Sequence, residues 1–453
     1  MVCKNITCFG EAEQYLYDMP RFTSKHSIKE TREFLKEIGN PDLSFKIIHV
    51  AGTNGKGSTC AYLDSVLRTA GIKTGLFTSP HLVDICERIK IDGKDISHDE
   101  FYSAFMDIYN RIDHEAIAGG ENAYHPTFFE YLFFMAMIIF KNAGIEWCIL
   151  ETGLGGLLDA TNSVVTKEVA VITKIGLDHT EYLGDTKALI AVQKAGIIKE
   201  GKPVVYLDAE EESSNAIASE AKRIGAGRLI PVNEKNVKLL QKLPEKVAFS
   251  LMDGYYKYVS LCLDTIAEYQ VQNASLAVKT IEAVGLSERV SEQCLCDGLY
   301  KCHWAGRMEE ILPDVFVDGA HNPDGIEAFI KTVADDGISR KRRLIFGVVS
   351  DKDYTEMIRE LSDSKLFESI TIAPINSYRS ADAGSIADGF VKAGALNVRA
   401  ANSAKQALET MLFEKYSNSA EDTFRLYIAG SLYLVGEIKS ILPFIKPEVN
   451  RHD

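Results

Sequence analysis

"FKIIHVAGTNGKGSTCAYL", Phe45 to Leu63, joins an apolar run to a glycine-rich turn and then to a helical pattern. The run is short and nearly continuous in its apolarity, as a strand covered on both faces must be. Gly52, Gly55 and Gly57 let the backbone turn its N–H groups inward and approach an anion closely. A helix expected from about Ser58 adds the positive end of its dipole. Lys56 can reach outer phosphates, and Ser58 or Thr59 offers a hydroxyl to a phosphate or a metal. The spacing departs from G-x-x-x-x-G-K-[ST]. Val50 stands where the first glycine belongs, and Gly57 separates Lys56 from Ser58. The plainer alternative is a glycine turn with a solvated lysine; the buried strand before it and the helix after it favour a phosphate loop.

Working outward, strand and helix patterns alternate almost throughout, which implies an α/β chain with mainly parallel sheets. "STCAYLDSVLRTAG" reads as a helix ended by Gly71, and "KTGLFTSPH" as a strand stopped by Pro80. "PTFFEYLFFMAMIIFKNAG" reads as a long buried helix ending at Gly144. "WCILETGLGG", "VAVITKIGLDH" and "KPVVYLD" are further strands. The helix "DTKALIAVQKAGIIK" lies between the last two, with Asp185 as N-cap. Residues 208–258 carry weak signals and are expected to be irregular or short-stranded. "NASLAVKTIEAVG" is a helix. After "CHWAGRMEEILP" the alternation restarts and is long enough for a second open sheet. The expected boundary lies near residues 300–306, giving one domain over 1–300 and a smaller one over 301–453.

Composition narrows the function classes. The 453 residues are 46% hydrophobic and 25% charged, ordinary for a globular chain with sizeable cores, and the net charge is -14. A nucleic-acid surface or an anionic membrane surface needs a basic face, so neither partner is expected. The most apolar stretch, "TFFEYLFFMAMIIF", is shorter than the ~20 residues that span a bilayer and carries Glu130. The opening residues contain no apolar core of signal-peptide length. The nine cysteines are an odd, scattered set, which points to reduced thiols and a cytoplasmic location. Cys294, Cys296, Cys302 and His303 lie close in sequence, but an i, i+2 pair on a helix faces two ways and does not suit zinc.

Polar residues at strand ends are the candidates for a site that meets the loop, because ligands collect there in open α/β sheets. "LFTSPH" brings Ser79, "CILETGLGG" brings Glu151, and "TKIGLDH" brings Asp178 and His179. Taken singly they could be a turn residue, a solvated charge and a helix cap; their shared placement suggests one site. Magnesium needs such oxygen ligands beside a nucleotide. Lys194 lies in a helix of small and apolar residues and could simply snorkel to solvent.

Together, "HVAGTNGKGST", "TSPHL", "LETGLGGLLDATN", "GLDHTEYLG", "KAGIIK", "NASLA" and "DGAHNP" occur in the order seen in folylpolyglutamate synthases and bifunctional dihydrofolate synthases of the Mur ligase superfamily. The chain resembles that family over roughly residues 15–445. The resemblance implies a P-loop ATPase-like domain followed by a smaller Rossmann-like α/β domain, with the active site in the cleft between them. It implies ATP-dependent ligation of L-glutamate to a dihydropteroate or reduced-folate carboxylate through an acyl phosphate. Charge must be neutralised where a carboxylate meets a phosphate, so Mg²⁺ and cationic groups are needed.

By that resemblance Asn54, Gly55, Lys56 and Gly57 hold the ATP phosphates, with Ser58 beside them. Ser79 and Glu151 bind one Mg²⁺, and His179 joins Glu151 at a second. Lys194 matches a lysine that carries a metal-binding carbamate. Asn273, Arg307 and Asp318 match nucleotide contacts, and His321 and Ser431 match positions linked to glutamate use. Thr127, Phe128, Phe129, Glu130, Leu158, Asp159 and Ala160 match the pterin pocket of the bifunctional enzymes; for Phe128 and Phe129 core packing is the competing reading. Leu157 stands where those enzymes carry Arg. A monomer is expected. The rival readings are another Mur-type amino-acid ligase, against which the inserted Gly57 argues, and a regulatory ATPase without ligation.

Overall fold

The computed structural model describes residues 6–19, 26–118, 123–233, 235–242, 246–253, 257–337, 340–350, 354–377, 380–417 and 423–445. The chain divides into two compact units. The first comprises residues 1–238, 249–262 and 272–302, and the second comprises 239–248, 263–271 and 303–453. Two stretches inside the expected 1–300 domain thus belong to the second unit.

The first unit is built on an eight-stranded sheet in the order β4-β3-β2-β5-β1-β6-β7-β8. Its strands are β1 (Lys46–Ala51), β2 (Thr74–Phe77), β3 (Ile89–Ile91), β4 (Lys94–Asp95), β5 (Trp147–Glu151), β6 (Val169–Ile172), β7 (Val204–Leu207) and β8 (Leu229–Val232). From β2 to β8 every pairing is parallel; β3 and β4 add an antiparallel edge. β1 lies in the middle, with Val50 opposite Glu151 of β5 and Ala51 opposite Ile172 of β6. Helices cover both faces, which is why β1, β5, β6 and β7 are buried almost end to end. The register delivers residues 52, 152 and 173 to the same sheet end, so the loops that follow these strands converge.

The apolar stretch folds as the helix Phe128–Ala143, buried from Glu130 through Phe140. A Thr127–Glu130 capping box starts it and Gly144, at φ 62°, ends it. Its aromatic residues form the centre of a core with Phe34, Phe77, Phe101 and Phe105. Each large side chain buried there contributes roughly 1.5–3 kcal/mol, so packing outweighs the cap. Among the described residues no helix is long and apolar enough to cross a membrane.

Three expectations change. Residues 208–258 are not irregular throughout: Glu211–Ile224 is a helix, ended by Gly225 at φ 78°. The helix over "KALIAVQKA" is capped by Thr186, whose hydroxyl accepts from Leu189 N–H, and not by Asp185. The phosphate-loop helix starts at Lys56, not Ser58.

β9 (Val237–Lys242), β10 (Val247–Asp253) and β11 (Lys257–Leu263) form a separate small sheet. The second unit is built on six strands in the order β12-β13-β17-β14-β15-β16: Glu309–Leu312, Val315–Val317, Phe424–Ala429, Lys341–Phe346, Ser369–Ile372 and Val398–Ala400. Only the β12–β13 pairing is antiparallel. The central β17 is wholly buried, as its run "FRLYIA" requires.

Candidate active site

Residues 52–55 run from β1 into the helix Lys56–Thr69. Gly55 precedes that helix at φ 87°, and a Cβ there would stand 2.2 Å from Asn273 Oδ1. A Cβ on Gly52 would stand 1.8 Å from Thr173 Oγ1. Both positions therefore need glycine. The loop is stitched to the segment after β6: Thr53 N–H donates to Lys174 O (2.8 Å), and Thr173 Oγ1–H donates to Asn54 O (2.7 Å). The first-turn N–H groups of the helix, which lack intrahelical partners, open onto the loop.

Glu151 ends β5 and is 3% exposed. Its Oε2 accepts from Ser79 N–H at 3.1 Å, and its Oε1 lies 3.9 Å from Lys56 Nζ. Lys56 Nζ also donates to Thr53 O at 3.3 Å. Lys56, Ser79 and Glu151 thus form one cluster. Thr59 Oγ1, in the first turn of the loop helix, and Thr152 Oγ1, next after Glu151, are buried without a hydrogen-bond partner. Buried polar groups are nearly always paired, so orphaned hydroxyls here fit a site that takes a polar ligand. A carboxylate, a serine and phosphate oxygens make the hard oxygen set that suits Mg²⁺.

Lys194 does not snorkel. It is buried, and Nζ donates to Gly52 O at 2.7 Å. Burial first, and Lys56 second, pull its pKa down to about 7, against the opposing pull of Asp178 and Asp159. An amine in that range is partly neutral at pH 7, the form that reacts with carbon dioxide. His179 sits at φ 52°, before the short helix Thr180–Leu183, and its ring lies 3.8 Å from Asp178 Oδ1.

Among the described residues, only Asp84, Cys86 and His98 bring three His, Cys, Asp or Glu ligand atoms within 4.8 Å of one another. None belongs to the expected metal set, which relies on a hydroxyl and a modified lysine. The cysteine cluster serves packing: Cys296 Sγ–H points at Ser260 O from the helix Glu292–Tyr300.

The expected pterin residues separate into two groups. Thr127 and Glu130 cap a helix, and Glu130 Oε2 also bonds His26 Nδ1 at 2.9 Å. Burial raises the Glu130 pKa, but the bonds from His26 and Thr127 outweigh it and leave it lowered. These partners satisfy the buried carboxylate. Phe128 stacks on Tyr17, with ring centroids 5.9 Å apart, under the Arg88 guanidinium. Phe129 packs on Phe77 and closes over Gly153, where a Cβ would stand 2.6 Å from its ring. Asp159 is buried and accepts from Leu154 N–H at 2.8 Å and Thr161 N–H at 3.0 Å. Ala160 is buried, whereas Leu158 is 62% exposed at the tip of the same loop.

In the second unit, Asp318 follows β13. Its carboxylate accepts from Ala320 N–H (2.8 Å), Met308 N–H (2.9 Å) and Tyr269 Oη–H (2.7 Å). Burial raises its pKa, while Arg307 and those bonds oppose the rise. Arg307 lies against Gly319 and donates to Gly306 O at 2.9 Å. His321 Nδ1 is 2.7 Å from Gly319 O, which makes Nδ1 the donor. Ser431 caps the helix Leu432–Ile441. Sequence reasoning missed Tyr269, Thr173, His49 and Lys167. For Tyr269 and Thr173 no motif marks the position; His49 and Lys167 are polar residues in or beside apolar strands.

Two family descriptions match the chain: the Mur ligase middle domain over residues 50–281 and the Mur ligase glutamate ligase domain over residues 306–421. The chain is therefore a Mur-type, ATP-dependent ligase. Within that class it belongs to the folylpolyglutamate synthase/dihydrofolate synthase family. It is 31% identical over 451 residues to a dihydrofolate synthase/folylpolyglutamate synthase of Bacillus subtilis, covering 96% of this chain and 99% of that protein. A folylpolyglutamate synthase from Mycobacterium tuberculosis, complexed with ADP and AMPPCP, superposes with a TM-score of 0.86 at 28% identity, covering 97% and 99% of the two chains. The bifunctional enzyme from Yersinia pestis, complexed with AMPPNP and a Mn ion, gives 0.82 at 27% identity over 98% and 100%.

Proposed function

We propose that this chain joins L-glutamate to the carboxylate of a dihydropteroate or reduced folate, using ATP. The substrate carboxylate oxygen attacks the γ-phosphorus and ADP leaves, giving an acyl phosphate. The glutamate amine then attacks the acyl carbon and loses a proton, and phosphate departs with the former carboxylate oxygen. The observation that carries this reading is the Lys56–Glu151–Ser79 cluster at the mouth of a glycine loop whose Gly52 carbonyl holds Lys194.

In this reading the loop N–H groups around Asn54, Gly55, Gly57 and Ser58 hold the phosphates, with Asn273 against the loop. Lys56 offsets charge where carboxylate and γ-phosphate meet. Ser79, Glu151, His179 and a carbamylated Lys194 hold Mg²⁺, which when bound supplies charge neutralisation and orientation to the phosphates. The domain over 1–300 takes ATP and the pterin; the domain over 301–453 serves glutamate through His321 and Ser431, and the nucleotide through Arg307 and Asp318. Thr127, Phe128, Phe129, Glu130, Leu158, Asp159 and Ala160 shape the pterin side. A cytoplasmic monomer completes the proposal.

The test is ADP release measured with dihydropteroate and with tetrahydrofolate, each with and without L-glutamate. Release that needs both a pterin acceptor and glutamate supports the reading. Release independent of glutamate would support a regulatory ATPase instead.

A further inference from the structure

A buried polar chain runs from Lys167 to Asp159, and of its members only Asp159 has a role above. Lys167, just before β6, is 1% exposed. Its Nζ lies 2.6 Å from Asn162 Oδ1, 2.7 Å from His49 Nδ1 and 3.0 Å from Ile197 O. His49 Nε2 lies 2.8 Å from Thr161 Oγ1, which lies 2.5 Å from Asp159 Oδ1.

The proton order follows from the carboxylate end. A hydroxyl 2.5 Å from a carboxylate oxygen must donate to it. Thr161 then has no hydrogen left for His49, so Nε2–H donates to Thr161. His49 Nδ1 then accepts from Lys167 Nζ, and burial and Lys167 both disfavour a charged imidazole. Burial and Lys199 push Lys167 towards neutrality and Asp159 opposes them. The bond geometry favours the ammonium, because each of its three hydrogens meets an acceptor. A buried cation is thereby wired through an imidazole and a hydroxyl to a buried anion.

The chain also fastens a loop. Asn162 Nδ2 donates to Leu157 O and Gly196 O, both at 3.1 Å, and Leu157 N–H donates to Gln193 O at 2.7 Å. The loop after β5 is therefore laid on the last turn of the helix that carries Lys194. Its tip, Leu157 and Leu158, is 40% and 62% exposed. Exposed leucines at the end of a rigidly held loop make a flat apolar contact for an aromatic ring system.

We infer that Lys167, His49 and Thr161 are positioning residues which hold the Leu157–Leu158 tip against the pterin ring of the acceptor substrate. The inference rests on the pterin side of the proposed function. Thr161→Val cuts the chain at the hydroxyl without removing a charge, and Thr161→Ser keeps it. Steady-state KM for dihydropteroate and for ATP is measured for both, for Lys167→Met as a second cut, and for Leu158→Ala. Thr161→Val and Lys167→Met are expected to raise the dihydropteroate KM about 10-fold or more while the ATP KM stays within about 2-fold, and Thr161→Ser to restore it. If Leu158→Ala leaves the dihydropteroate KM unchanged, the pterin reading of the loop fails. If Leu158→Ala raises it but both cuts leave it unchanged, the positioning inference alone is overturned. Equal rises in both KM values, or no rescue by Thr161→Ser, also overturn it. Should Thr161→Val not fold, Lys167→Met decides by the same criteria.

Discussion

Lys194 Nζ donates to the Gly52 carbonyl across 2.7 Å, tying a buried amine to the first glycine of the phosphate loop. The bond explains why a lysine can sit in an apolar helix face, and burial explains why its pKa falls to about 7. Folded Lys194 thus sheds its proton about pH 7, whereas the unfolded chain keeps it to about 10.4. Between those values the unfolded state binds more protons, so this residue's contribution rises with pH. Below pH 7 its penalty is complete, on the order of 4 kcal/mol before the Gly52 bond is counted. Lys194→Met is expected to gain stability relative to the parent at pH 6–7 and to lose that advantage towards pH 10, as read by denaturant unfolding in carbonate-free buffer. An advantage independent of pH would contradict the buried-amine account.

The same variant is expected to lose activity by about 100-fold or more if a carbamate forms there. Short carboxylic acids added to Lys194→Ala are expected to restore part of it. Full activity in Lys194→Ala would remove Lys194 from the site.

Gly55 faces Asn273 with no room for a methyl group, at a φ of 87°. Gly55→Ala is expected to abolish detectable ATP binding by calorimetry and to cost about 1–3 kcal/mol of stability. Gly71, at φ 72° with open space around its Cβ, is the control. Gly71→Ala is expected to cost stability without weakening ATP binding.

Lys56 and Glu151 stand 3.9 Å apart, at the limit of an ion pair. Lys56→Met is expected to lower kcat about 100- to 1,000-fold, because it removes a cation facing the charge that develops between carboxylate and phosphate. Glu151→Gln is expected to raise the Mg²⁺ concentration needed for half-maximal activity, read by titration of the metal. An unchanged requirement would remove Glu151 from the metal set.

Glu130 separates a helix cap from a substrate contact. Its folded pKa is lowered from the ordinary value near 4.5, with bonds from His26 and Thr127 overcoming burial. Its stabilising contribution is present above that ordinary value and fades as pH falls through the folded pKa. Glu130→Gln is expected to cost about 1–3 kcal/mol at pH 7, with the difference shrinking in acid. A dihydropteroate KM within about 2-fold of the parent would leave Glu130 as a cap alone, and a larger change would support its pterin contact.

The legible part of the fold is the part whose residues announce their own burial. β1, β2, β5 and β6 are apolar runs that end in glycine or a polar residue, so Ser79, Glu151 and Asp178/His179 read from the sequence as one set facing the phosphate loop; the structure joins Ser79 and Glu151 to Lys56. The helix Glu211–Ile224 was not visible. Its N-cap Glu210 makes no side-chain cap, and its buried face is Ser213, Ser214, Ile217 and Ala221, too polar and too small to register. Lys167 was hidden for the opposite reason. A lysine ahead of an apolar strand reads as solvated, and only the three-dimensional meeting of His49, Asn162 and Ile197 gives its ammonium a reason to be inside. Asp185 lost its cap to Thr186 by one residue, since both types suit the position and only the backbone path decides.

The central claim is that ATP activates the substrate's own carboxylate. Dihydropteroate whose carboxylate oxygens carry a heavy-oxygen label tests it directly, by mass analysis of the inorganic phosphate released in the presence of L-glutamate and ATP. Transfer of one labelled oxygen into each phosphate is the expected result. Phosphate released without label, while the glutamylated product still forms, would contradict the acyl-phosphate account.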